Sequence, residues 1–163
     1  MAADRDRFLN SFSFAFVRNP WDRLFSAFNY LHASIGINAS RDVRWATQYL
    51  GGFEDFEAFV LALRSEDTWR KIRRWPHFRP QLDWLCIPGS VELCPSYIGR
   101  FETLADDFKH ITEELGLHVA LSCERKLQSD GQKMFTGKMI EIIGDRYRSD
   151  AETLKYSGPT EQR

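Results

Sequence analysis

The run from Phe12 to Phe28 limits the fold of this chain more than any other, because an apolar stretch ends there in a turn with helix-start chemistry. Phe12-Ser13-Phe14-Ala15-Phe16-Val17 is aromatic, apolar and β-branched, which suits a buried strand of a parallel sheet. Asn19 is a good N-cap, and Pro20 fits the first helical position, where a missing N–H costs nothing. Asp22 stands three residues past the cap and completes a capping-box-like pair. The chain therefore passes directly from strand to helix at Arg18-Asn19-Pro20.

Such a junction attracts anions, since a helix N-terminus carries free N–H groups and a partial positive charge. Arg18 adds a fixed cation with a planar donor fork at the strand end. Arg23 and Ser26 are three apart on the following helix and share a face. Two arginines, a hydroxyl and a helix start make a phosphate cradle. The competing reading is a strand–helix corner whose arginines pair with nearby carboxylates.

The pattern Arg18-Asn19-Pro20-x-x-Arg23-x-x-Ser26-x-Phe28 resembles the 3′-phosphate-binding motif of sulfotransferases that use 3′-phosphoadenosine-5′-phosphosulfate (PAPS). The resemblance implies that Arg18 and Ser26 hold the 3′-phosphate of the nucleotide, with Arg23 matching the motif's second arginine. A second segment, His77-Phe78-Arg79-Pro80-Gln81, resembles a His-x-x-Pro-Gln element of the carbohydrate-type enzymes and their bacterial relatives. It offers His77 as the base for an acceptor hydroxyl, since a free imidazole titrates near neutrality. The alternative is a histidine that packs against Trp84 or caps a loop. A third segment, Ile98-Gly99-Arg100-Phe101-Glu102-Thr103-Leu104, resembles the family's Ile-Gly-Arg-Phe-Glu-x-Leu stretch and implies that Phe101 lies near the adenine. Tyr147-Arg148-Ser149-Asp150 and Tyr156 resemble its closing element.

The chain has 163 residues, 43% hydrophobic and 14% aromatic with 13 Phe and 5 Trp, enough for one packed domain over residues 1–163. Its net charge of −1, from 22 basic and 23 acidic residues, gives no global field for nucleic acid, so any anion site is local. Cys86, Cys94 and Cys123 lack metal-ligand spacing and read as free thiols, although Cys86 and Cys94 could pair in a secretory setting. No metal is expected. No apolar run approaches the ~20 residues of a membrane span, and the first residues lack the apolar region of a signal peptide. These features favour a cytoplasmic setting, with a Golgi or other membrane location if the native protein extends further.

Apolar spacing predicts helices over about Pro20–Ile35, Asp42–Leu50 and Phe53–Leu63, the last with Glu54, Asp55 and Glu57 in its first turn. His32 falls on the first of these and reads as a surface or core polar residue rather than a catalyst. Residues 64–80 interleave Arg64, Arg70, Lys71, Arg73, Arg74 and Arg79 with Trp69, Trp75 and Phe78. That segment is either an exposed basic helix face or a surface for an acidic or sugar acceptor. Trp84–Ile87 and Ser96–Phe101 read as strands. Thr103 reads as a helix cap with Asp106 as its partner, followed by a stripe of Leu104, Phe108, Ile111 and Leu115. Residues 117–135 read as mostly loop, Thr136 opens a last helix, and the tail from Ser157 is polar.

All of these pieces stand in family order from about Phe12 to Tyr156 and resemble a family 2 type sulfotransferase. The implied fold is a helix-rich, three-layer, P-loop-like α/β fold with a parallel sheet. One element departs from the pattern: family members open with a strand and a Lys-bearing loop for the 5′-phosphosulfate, whereas Lys71 is the first lysine here. The sheet is thus expected to be N-terminally incomplete, and its open edge predicts a homodimer or poor solubility. The implied activity is sulfuryl transfer from PAPS to a hydroxyl or amine of an acceptor, a carbohydrate by resemblance. The alternative is a shortened, non-catalytic nucleotide-binding module that keeps only the 3′-phosphate site. A nucleotide kinase relative is disfavoured by the absence of Gly-x-x-x-x-Gly-Lys-Ser/Thr.

Overall fold

The turn after the first strand forms as its residues dictate. Asn19 accepts a hydrogen bond from the Trp21 N–H through its side chain (3.1 Å), Pro20 opens the helix, and Asp22 lies in the first turn. A computed structural model describes residues 11–87, 89–90, 92–121 and 135–159. These fall into two compact units. One contains the described residues up to Arg18 and from Gln81 to residue 121; the other contains Asn19–Pro80 and residues 135–159.

The first unit is built on a parallel pair, β1 (Phe14–Val17) and β2 (Tyr97–Arg100), in the register Phe14↔Tyr97 to Val17↔Arg100. The pair is held below its first rung by reciprocal bonds: the Ser96 N–H donates to Ser13 Oγ (3.2 Å) and the Ser13 N–H to Ser96 Oγ (3.3 Å). Gly99 is needed where it stands. A Cβ there would lie 2.6 Å from Phe16 Cε1 and 3.1 Å from the Asp107 Cβ, so only hydrogen lets ring and helix close on the strand.

After β2 the chain makes a 3₁₀ turn (Phe101–Thr103) before the main helix of this unit, Leu104–Glu114. Thr103 was expected to cap this helix with Asp106, but its side chain does not cap. Instead its hydroxyl donates to Asp107 Oδ2 (2.6 Å), which also accepts from the Arg100 N–H (2.7 Å), while Oδ1 accepts from the Tyr97 hydroxyl. Asp107, inside the first turn of the helix, gathers these groups in place of Asp106. Of the expected apolar stripe only Ile111 is buried; Leu115 is 43% exposed.

Trp84–Ile87, expected as a strand, is instead the end of a single helical turn, Leu82–Leu85, followed by an isolated antiparallel bridge from Cys86 to Leu93. A short apolar run does not separate the two states by periodicity, and here Leu85 is buried while Trp84 faces out at 57% exposure. Residues 117–121 have no regular structure; the rest of the expected loop, Cys123 included, lies outside the described residues. Cys86 and Cys94 are thiols.

The second unit is helical. We number its helices α1 (Pro20–Ala33), α2 (Arg41–Tyr49), α3 (Phe56–Ala62), α4 (Glu66–Ile72), α5 (Gly137–Arg146) and α6 (Arg148–Thr153). Each of α2, α3, α4 and α5 begins on a side-chain cap, from Ser40, Asp55, Ser65 and Thr136 respectively. Asp55 therefore precedes α3 rather than sitting in its first turn, and the expected start at Phe53 moves to Phe56. Rings from α1, α3 and the loop after α4 form the centre: Phe28 stacks on Phe59 at 4.9 Å, and Phe59 meets Phe78 at 5.4 Å. Tyr147 reaches into this core and donates its hydroxyl to the Phe78 carbonyl (2.7 Å). Burial pushes its pKa far above the usual phenol value. His32 stacks on Phe28 and bonds the Phe53 carbonyl through Nε2 (3.1 Å).

Gly99→Ala is expected to destabilise the chain by about 1–3 kcal/mol, the cost of forcing a ring and a helix apart. Urea unfolding followed by circular dichroism checks this; an unchanged midpoint would mean that the close approach is not rigid.

Candidate functional site

In the sheet unit the strands end side by side, and ligands of open α/β sheets bind at the carboxyl ends of strands. Arg18 follows the last rung of β1, and Phe101 follows the last residue of β2. The Arg18 guanidinium lies over the Phe101 ring, 4.4 Å from its centroid. Phe101 is 40% exposed, so part of the ring remains open beside a fixed positive charge. The structure thus brings together two of the residues singled out from the sequence.

Both groups are held from behind. The Arg18 N–H donates to Gln81 Oε1 (2.9 Å), and its carbonyl accepts from Gln81 Nε2 (2.9 Å). The turn that carries Phe101 is closed by Asp107, through the Arg100 N–H and the Thr103 hydroxyl. Burial alone would raise the Asp107 carboxyl, but bonds from Thr103, Tyr97 and the Arg100 N–H together hold it below the usual range. The same bond and charge raise the Tyr97 phenol.

In the helical unit, Arg23 and Ser26 lie on α1, both half-buried. Arg23 donates from Nη2 to the Pro76 carbonyl (3.4 Å), which brings it to the loop that carries His77. The His77 ring stacks on Tyr30 (5.8 Å between centroids), and its Nδ1 is buried with no hydrogen-bond partner among the described residues. Burial lowers the His77 pKa below its ordinary value; the Asp42 carboxylate opposes this and Arg23 reinforces it. At neutral pH the imidazole is therefore the free base, the form able to take a proton.

The basic, aromatic segment is not an open sugar platform. Trp69 and Trp75 are both buried, and Trp75 stacks on Trp45 (4.7 Å) and lies against the Arg41 guanidinium (4.9 Å). Spacing alone could not separate aromatic residues that alternate with cations because they bind from those that do so because they pack. The exposed aromatic beside His77 is Tyr30, at 55% exposure. Gln81, Asp107 and Tyr30 were not singled out from the sequence. Gln81 belongs to a recognised segment, yet its partner lies 63 residues away and nothing local announces it.

A family model described as the sulfotransferase family matches residues 2–157. The chain belongs to that family, in its family 2 type, whose chemistry is sulfuryl transfer to an acceptor. No curated protein and no solved structure gives a significant match. Among the described residues, no group of three His, Cys, Asp or Glu is placed to hold a metal ion, and no helix is long and apolar enough to cross a membrane.

The His77 ring is expected to titrate below 6.5. Because its folded pKa is lowered, the unfolded chain binds the proton more tightly, and stability falls as pH drops below that value. A ring-proton NMR titration checks this, and a midpoint at or above 6.5 would show an imidazole that is not desolvated.

Proposed function

We infer that this chain transfers a sulfuryl group from PAPS to a hydroxyl or amine of an acceptor, which we take to be a carbohydrate. One observation carries the reading: a fixed guanidinium beside a partly exposed aromatic ring at the ends of paired parallel strands. A nucleotide bisphosphate presents an aromatic base and a doubly charged group, and these two side chains match it in kind. In this reading Phe101 faces the adenine and Arg18 meets the 3′-phosphate. Motif spacing alone adds Ser26 and Arg23 to the same phosphate.

The donor supplies the sulfuryl group, and adenosine bisphosphate is the leaving product. What the chain contributes is position and charge. Binding energy gathered at the 3′-phosphate, away from sulfur, orients the donor. His77, free base at neutral pH, takes the proton from the attacking group through a ring nitrogen. The exposed Tyr30 ring stacked on His77 suits the apolar face of a sugar, which supports a carbohydrate acceptor.

Calorimetric titration with adenosine 3′,5′-bisphosphate tests the donor assignment. Wild type is expected to bind, and Arg18→Ala to lose about 1.5–3 kcal/mol, the worth of a charged hydrogen-bonded contact. Equal affinity for the two proteins would remove Arg18 from the site. His77→Gln is expected to lower transfer of labelled sulfate about 10²–10⁴-fold with donor affinity unchanged. Wild-type turnover in that variant would exclude His77 as the base.

A further inference from the structure

We propose that Gln81 is the positioning residue for Arg18: its side-chain amide locks the strand end so that the guanidinium meets the 3′-phosphate. The proposal rests on the reading of Arg18 as a phosphate-binding residue, and it assigns a role that the motif itself does not contain.

The β1–β2 ladder ends at Val17↔Arg100. The next residue, Arg18, has a backbone N–H and C=O beyond the last rung, in a partly buried place where both need partners. Gln81 supplies both at 2.9 Å. One planar amide holds a donor and an acceptor side by side, as a neighbouring strand would. The orientation of that amide is forced, because the Arg18 N–H requires the oxygen and the Arg18 carbonyl requires the nitrogen.

Two further features mark this contact. Gln81 is among the few buried polar residues, at 6% exposure. It also stands at the N-cap position of the helical turn Leu82–Leu85, yet its side chain makes no capping bond there. The amide is directed to Arg18 and not to the first turn of its own helix. With both backbone groups of Arg18 fixed, the direction of its Cα–Cβ bond is fixed, and the side chain reaches the Phe101 ring from a set origin. A guanidinium gives its full bidentate bond only within a narrow range of angles, so a loose backbone would weaken the phosphate contact without removing the charge.

The test uses the full 163-residue chain. Calorimetry with adenosine 3′,5′-bisphosphate and with adenosine 5′-monophosphate gives a ratio of affinities that reports the 3′-phosphate alone. Gln81→Met fills the space with neither bond; Gln81→Glu keeps an acceptor and loses the donor. Both variants are expected to lose about tenfold or more of the wild-type preference, with 5′-monophosphate affinity held within about twofold. A retained preference overturns the proposal. Equal weakening of both nucleotides also overturns it, since that is general destabilisation. A wild type that does not prefer the bisphosphate removes the 3′-phosphate reading itself, and the proposal with it. If neither variant folds, amide exchange in wild type decides: a protected Arg18 N–H supports the clamp, and one that exchanges like an open amide refutes it.

Discussion

A strand that ends before its chain enters a helix leaves backbone polar groups with no ladder to join. In this protein those groups belong to Arg18, and the Gln81 amide takes both. Much of the sheet unit follows from that contact. The guanidinium leaves from a fixed backbone, settles over Phe101 and places a charge at the carboxyl end of the strands. The Phe101 side is fixed in a comparable way, by a carboxylate that gathers the hydroxyls of Tyr97 and Thr103 and the Arg100 N–H. Two short strands could not hold such a pair alone; two long-reaching polar side chains do it for them.

The helical unit is held by different means. Its centre is a run of rings, Phe28, Phe59 and Phe78 among them, closed by the Tyr147 hydroxyl on the Phe78 carbonyl. Arg146 adds a polar seam, donating to the carbonyls of Leu63 and Arg64 (both 2.8 Å) and pairing with Glu66 (2.7 Å). The loop that carries His77 follows directly on this packing, since Trp75 and Phe78 on either side of it are buried. His77 is thereby half-desolvated, and Arg23 and Asp42 set opposing charges near it. The lowered pKa is thus a product of the core rather than of a dedicated acid–base partner.

Local signals read well from the sequence. The Asn19-Pro20 helix start and the cap at Thr136 both depend on neighbours a few residues away. Signals failed where distant contacts decide. Leu82–Leu85 became a helical turn because the same apolar letters serve either state. Asp107 and not Asp106 meets Thr103, through its hydroxyl and without a helix cap. Trp69 and Trp75, in a segment read either as an exposed basic helix face or as an acceptor surface, are core. At the candidate site, Arg18 and Phe101 were legible through their motifs, and the structure brings them into contact. Gln81 was not, because an amide bond across 63 residues leaves no pattern in either segment.

The central claim is that the paired strand ends form the surface for a nucleotide bisphosphate. The most direct measurement is an amide-resolved NMR titration of the wild-type chain with adenosine 3′,5′-bisphosphate. The account predicts saturable shifts that are largest at the amides of Arg18, Asn19 and Phe101. Saturable shifts confined elsewhere, such as residues 64–76, or no shifts at millimolar nucleotide in a folded chain, would contradict it.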